Sequence, residues 1–105
     1  MESEAQARSL ARSLIDDGIA ACVQWEGPVH SVYQWEGKTC ESTEWRLWIK
    51  VLESRLPAAR KRIDSTHPYE TPQWIEVEAA KVDEKYLKWA GEASNLRGFQ
   101  KPEPI

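Results

Sequence analysis

Residues 19–52, Ile19-Ala-Ala-Cys22-Val-Gln-Trp25-Glu-Gly-Pro28-Val-His30-Ser-Val-Tyr33-Gln-Trp35-Glu-Gly37-Lys-Thr-Cys40-Glu-Ser-Thr-Glu44-Trp-Arg-Leu-Trp48-Ile-Lys50-Val-Leu52, decide the fold class. Ile19 to Trp25 is a compact apolar run, too short for a helix, and reads as a strand. Glu26-Gly27-Pro28 breaks it. Val29 to Glu36 alternates Val, Tyr and Trp with polar residues, so it is a second strand or a continuation of the first. Gly37 to Ser42 reads as a turn or a twisted extension. Glu44 to Leu52 is a further strand, with Trp45, Leu47, Ile49 and Val51 on one face and Arg46, Trp48 and Lys50 on the other.

Helical periodicity flanks this block. Over residues 2–17, Ala7, Leu10, Ala11, Leu14 and Ile15 recur at helical spacing, and Gly18 is placed to end the helix in a left-handed cap. Downstream, Ser54 can cap a helix over 55–66, with Pro57 in its first turn and Leu56, Ala59 and Ile63 buried. Residues 73–82 alternate as a strand, with Ile75, Val77 and Ala79 toward the core. Asp83 is the N-cap of a last helix to Ala93, carrying Tyr86, Trp89, Ala90 and Ala93 on one face. The order is helix, two or three strands, helix, strand, helix. A strand ahead of the first helix would complete βαββαβ, the ferredoxin-like split unit. The expected fold is therefore an α+β ferredoxin-like sandwich without its first strand. It forms one domain over 1–105, with a core of about 5–93 and an extended arm over 94–105.

Composition narrows the function. The 105 residues carry a net charge of −3, which disfavours nucleic acid as the main partner, since phosphate binding calls for a basic face. No apolar run is long enough to span a bilayer. The acidic start Met1-Glu2-Ser3-Glu4 is not a secretory or organelle signal, which leaves a cytoplasmic home as the expectation. Cys22 and Cys40 then read as free thiols. Six tryptophans are many for so small a core, and some are expected at subunit contacts or in a cleft.

The chemistry-bearing stretch is His67-Pro68-Tyr69-Glu70-Thr71-Pro72. Two prolines hold an imidazole, a phenol and a carboxylate in a stiff elbow. The plain alternative is that His67 and Tyr69 satisfy backbone groups at a helix-to-strand junction. Cys22 is either a small buried hydrophobe or a thiolate donor. Lys50 can pair with a carboxylate such as Glu70 or reach water. No nucleotide-binding loop, zinc motif or nucleophile elbow is present. His67 and Glu70 as acid and base remain the minor, enzymatic reading.

Ala20-Ala21-Cys22-Val23, Ser31-x-Tyr33-x-Trp35-x-Gly37, Glu44 with Lys50, His67-Pro68-Tyr69-Glu70-x-Pro72 and Tyr86-Leu87-x-Trp89 occur in order. Together they resemble the CutA family of divalent-cation tolerance proteins, over roughly residues 5–92. The resemblance implies a ferredoxin-like fold, a homotrimer with sheets joined edge to edge, binding of copper(II) or related divalent cations, and no enzymatic reaction or organic cofactor. On that footing His67 is the candidate metal ligand; Glu70 and Cys22 are weaker candidates, and Cys22 does not correspond to the family's copper-associated thiol, which lies on the strand ahead of the first helix. The chain departs from the family in lacking the apolar strand ahead of the first helix. Thr66 also stands where the family's copper-linked pair has a second histidine. The competing reading is a PII-like trimeric module that takes a small ligand or partner in a cleft lined by Trp35, Lys50, His67, Tyr69 and Glu70.

Overall fold

The computed structural model describes residues 1–66 and 73–94. Helix α1 spans Glu4–Asp16, strand β1 Cys22–Trp35, strand β2 Lys38–Lys50, helix α2 Leu56–Thr66 and helix α3 Glu84–Ala93, with a 3-10 turn at Glu53–Arg55 ahead of α2. The arrangement is α+β and ferredoxin-like, built around one long antiparallel hairpin.

α1 starts in a capping box formed by Ser3 and Gln6. The Gln6 amide donates to Ser3 Oγ, and the Ser3 amide donates to Gln6 Oε1. It ends as expected at Gly18, whose φ is 68°. The Gly18 amide donates to the Ile15 carbonyl and the Ile19 amide to that of Leu14, a paired closure that satisfies two carbonyls left open at the helix end. Ala7, Leu10, Ala11 and Leu14 are buried at spacings of three and four residues. Ile15, expected in this stripe, is instead exposed: one position past Leu14, it is rotated by about 100° from it.

The hairpin is longer and simpler than expected. β1 runs through Gly27-Pro28 without ending; the pairing only shifts register between Glu26 and Val29, as at a β-bulge. The turn is two residues, Glu36 and Gly37, both with positive φ, and β2 begins at Lys38, so residues 38–42 follow the extension reading and not the turn. Val23 pairs with Ile49 and Trp25 with Leu47. These four side chains, with Trp45, pack against the buried cluster of Met1, Leu10, Leu14, Ile19, Ala59 and Ile63.

α2 buries Ala59 and Ile63 as predicted. Ser54 lies inside the 3-10 turn rather than ahead of the helix as its cap. Arg62 ties α2 to α1, donating to Ser13 Oγ and to Asp17 Oδ2. Asp83 caps α3, its carboxylate accepting from the Lys85 and Tyr86 amides. One expectation fails here. Residues 73–82 form no ladder, and Ile75 and Val77 are 70% and 83% exposed. α3 carries Tyr86 and Trp89 on one face as expected, their ring centres 5.5 Å apart; that face is largely open, with Ala90 buried. Alternation marks which residues a strand would bury, but a strand also needs a paired neighbour, and the described sheet has two strands only.

No strand precedes α1 among the described residues, yet Met1 is not idle. Its ammonium donates to the Trp45 carbonyl at 3.1 Å, and the Trp45 amide donates to the Met1 carbonyl at 2.7 Å. This reciprocal exchange is one rung of antiparallel pairing on the edge of β2 away from β1.

Two substitutions test this packing by urea unfolding at fixed protein concentration. Leu14→Ala empties a fully buried site and is expected to cost about 2–5 kcal/mol. Gly27→Ala places a Cβ 2.7 Å from the Trp45 ring, and about 1–3 kcal/mol is expected from the overpacking.

Candidate functional site

Strand alternation sorts the hairpin's functional groups onto two faces. Val23, Trp25, Trp45, Leu47 and Ile49 look inward. Cys22, Gln24 and Glu26 on β1, with Arg46, Trp48 and Lys50 on β2, therefore share the outer face. Register sets Cys22 opposite Lys50, Gln24 opposite Trp48 and Glu26 opposite Arg46.

Diagonal contacts knit this face. The Trp48 indole donates to Glu26 Oε2 at 2.8 Å, and Arg46 Nη1 lies 3.6 Å from the same oxygen. The Arg46 guanidinium also sits 5.9 Å from the centre of the Trp48 ring, a cation–π distance. Lys50 Nζ donates to Gln24 Oε1 at 2.6 Å. The result is a row of one half-buried thiol, one exposed carboxylate, two exposed cations and a half-exposed indole. It can bind through stacking and charge, and its polar groups already hold one another in place.

Of the residues expected to bind metal, Cys22 is a free, half-buried thiol at the root of the hairpin. His67, Tyr69 and Glu70 lie outside the described residues. Among the described residues no group of three or more His, Cys, Asp or Glu side chains is arranged to hold a metal ion. His30, the other histidine, is exposed with Nδ1 3.1 Å from Thr43 Oγ1.

Of the expected cleft residues, Trp35 and Lys50 are not brought together within one chain. Trp35 closes the hairpin at its tip, opposite Lys38, whereas Lys50 pairs with Cys22 at the root. Thirteen steps along β1 separate these ends, roughly 40 Å of strand. A single cleft holding both side chains therefore needs a second copy. Strand alternation alone puts Arg46 and Trp48 beside Lys50 on one face, but does not mark them as a site. Glu26 and Gln24 were missed because register, which brings them across from that face, is a property of the paired hairpin.

Among the described residues, the titration shift that stands out is at Met1, whose amine lies below its ordinary value of 8.0. Burial disfavours the charged form, and the nearby Glu44 and Glu2 partly oppose that effect.

Comparison with known proteins covers nearly the whole described chain. The family description "CutA1 divalent ion tolerance protein" matches residues 1–93. The chain is 32% identical over 90 residues to the divalent-cation tolerance protein CutA of Thermus thermophilus, spanning 86% of this chain and 87% of that one. It is 37% identical over 86 residues to a CutA homolog of Xenopus laevis, covering 82% of this chain but 57% of that longer protein. The solved structure of the Thermus thermophilus divalent cation tolerance protein superposes with a TM-score of 0.82 at 31% identity, over 86% and 87% of the two chains.

The outer-face contacts are exposed, so they are worth little to stability. Glu26→Gln is expected to change unfolding free energy by less than about 1 kcal/mol, with the difference shrinking as salt is added. Urea titrations at two ionic strengths measure both.

Proposed function

The chain belongs to the CutA1 divalent ion tolerance family, and from that premise we propose a cytoplasmic homotrimer that binds copper(II) or a related divalent cation and contributes to metal tolerance. The match over residues 1–93 carries this reading. His67 in the proline elbow is the principal ligand, with Glu70 and Cys22 as weaker donors; imidazole and thiolate suit copper or zinc better than magnesium or calcium. No enzymatic reaction or organic cofactor accompanies the family. Among the described residues no helix is long and apolar enough to cross a membrane.

Trimerisation is supported by what one copy leaves open. Tyr33, Trp35, Trp48, Val77, Leu87 and Trp89 are all at least 43% exposed. Exposed aromatic and aliphatic side chains in this number mark surfaces that bury against a partner. Sheet pairing between copies would also use strand edges that carry no further strand among the described residues.

One observation favours the alternative, a trimeric module of PII-like architecture that binds a small ligand. Trp35 and Lys50 sit at opposite ends of the hairpin, so neighbouring copies could bring the tip of one to the root of the next. Such a cleft would hold Trp35, Lys50, His67, Tyr69 and Glu70.

Calorimetric titration of copper(II) into metal-stripped protein separates the two. Metal tolerance through the elbow predicts saturable binding near one ion per chain, lost in His67→Ala and at low pH, because imidazole must be neutral to ligate. Binding unchanged by that substitution transfers the function to the cleft. Sedimentation equilibrium tests assembly separately, with a mass of three chains expected.

A further inference from the structure

One row of side chains along α1 runs Glu4, Arg8, Arg12, Asp16, each a helical turn from the next. The first two are engaged with Trp25. Its indole donates to Glu4 Oε2 at 3.2 Å, and the Arg8 guanidinium lies 5.8 Å from the ring centre. The last two are not engaged. The side chains of Arg12 and Asp16 are exposed and make no ion pair or hydrogen bond among the described residues. They do not pair with each other, and a cation one turn ahead of an anion is the weaker order on a helix. Asp16 is also the last residue of α1, in a turn without a basic side chain. The helix dipole disfavours a carboxylate there, so a cation brought from outside would relieve it.

Beside these two charges, between α1 and β1, lies an open groove of about 270 Å3. Its lining is Ala11, Arg12, Ile15, Asp16, Val23 and Trp25. Away from the two charges the wall is apolar: Ala11 is buried, Val23 and Trp25 are half-buried, and Ile15 is 39% exposed. The side chain of Ile15, out of phase with the buried stripe, thus forms part of this wall. The volume falls below the roughly 300–1,000 Å3 of pockets for drug-sized ligands, so the groove suits a small molecule. That molecule needs an anion for Arg12, a cation for Asp16 and an apolar part for the wall.

We propose that the groove between α1 and β1 binds a free α-amino acid with a branched apolar side chain, its carboxylate on the Arg12 guanidinium, its ammonium on the Asp16 carboxylate and its side chain against Ile15, Val23 and Trp25. Residues one turn apart have Cβ atoms about 5–6 Å from each other. That spacing suits the two charges carried on one α-carbon better than the separated termini of a peptide. Trp25 is already held by Glu4 and Arg8, so little ordering of the wall is needed on binding. The site is separate from the elbow and from the outer face of the hairpin, and it calls for no metal.

L-Leucine titrated into the metal-stripped full chain, followed by NMR at the Ile15 methyl groups and the Trp25 indole, tests the proposal. Saturable shifts are expected at both. Arg12→Gln and Asp16→Asn should each weaken binding about tenfold, the scale of one charge-assisted contact. Both positions are exposed, so the fold should be kept. 4-Methylpentanoate, which lacks the amine, should bind the unsubstituted chain about tenfold more weakly than leucine, and Asp16→Asn should no longer distinguish the two. L-Leucinamide should show the same relation to Arg12→Gln. Glycine should bind at least about tenfold more weakly than leucine, because it leaves the apolar wall uncovered. Absence of saturable shifts at Ile15 and Trp25 overturns the proposal. Affinity unchanged by either substitution overturns it as well, by removing that charge from recognition. Equal affinity for glycine would also overturn it, reducing the site to a surface charge pair.

Discussion

The structure depends on the register of one hairpin. Val23 opposite Ile49 and Trp25 opposite Leu47 put four apolar side chains over the Leu10–Leu14 stripe of α1. The period of a strand is two, so a slip of one residue in either strand would turn its apolar set to solvent and bring its polar set inward. Both faces enforce the observed pairing. Inward, burial of the Trp and Leu side chains favours it. Outward, the Trp48–Glu26 and Lys50–Gln24 hydrogen bonds form only in this register. The two-residue turn at Glu36-Gly37 closes the far end with a backbone twist that suits the flanking strands.

Much of this was legible in the sequence, for a local reason. The buried positions of α1, the left-handed cap at Gly18, the inward face of β2 and the Asp83 cap follow from spacing and from the conformational limits of single residues. Residues 73–82 show where such reading stops. Ile75, Val77 and Ala79 alternate as a strand should, but pairing belongs to two segments at once, and the described sheet offers them no neighbour. Tyr86 and Trp89 repeat the lesson on a helix: their spacing marks a face, and only assembly can say what covers it.

The candidate site divides in the same way. His67, Tyr69 and Glu70 were chosen from residue chemistry in a proline-bounded stretch, and they lie outside the described residues. Cys22 and Lys50 were chosen singly, yet register makes them direct neighbours. Glu26 entered no sequence-based site, although it joins Arg46 and Trp48 on one carboxylate oxygen. A salt bridge next to an indole hydrogen bond is written across twenty residues of sequence, and becomes visible once the strands are aligned.

The bulge between Glu26 and Val29 divides the hairpin into a supported root and an unsupported ribbon. Below it, the strands rest on α1 and α2. Beyond it, Val32, Tyr33 and Trp35 are exposed and the ribbon stands clear of the core. The bulge thus works as a mount that aims a cantilever: it sets the ribbon's bend and twist, while the core sets only where the ribbon is anchored. Reach and direction can then change independently of the hydrophobic interior. Each residue pair added near the tip would lengthen the arm by about 3.3 Å, whereas one residue removed at the mount would swing the whole arm to a new bearing.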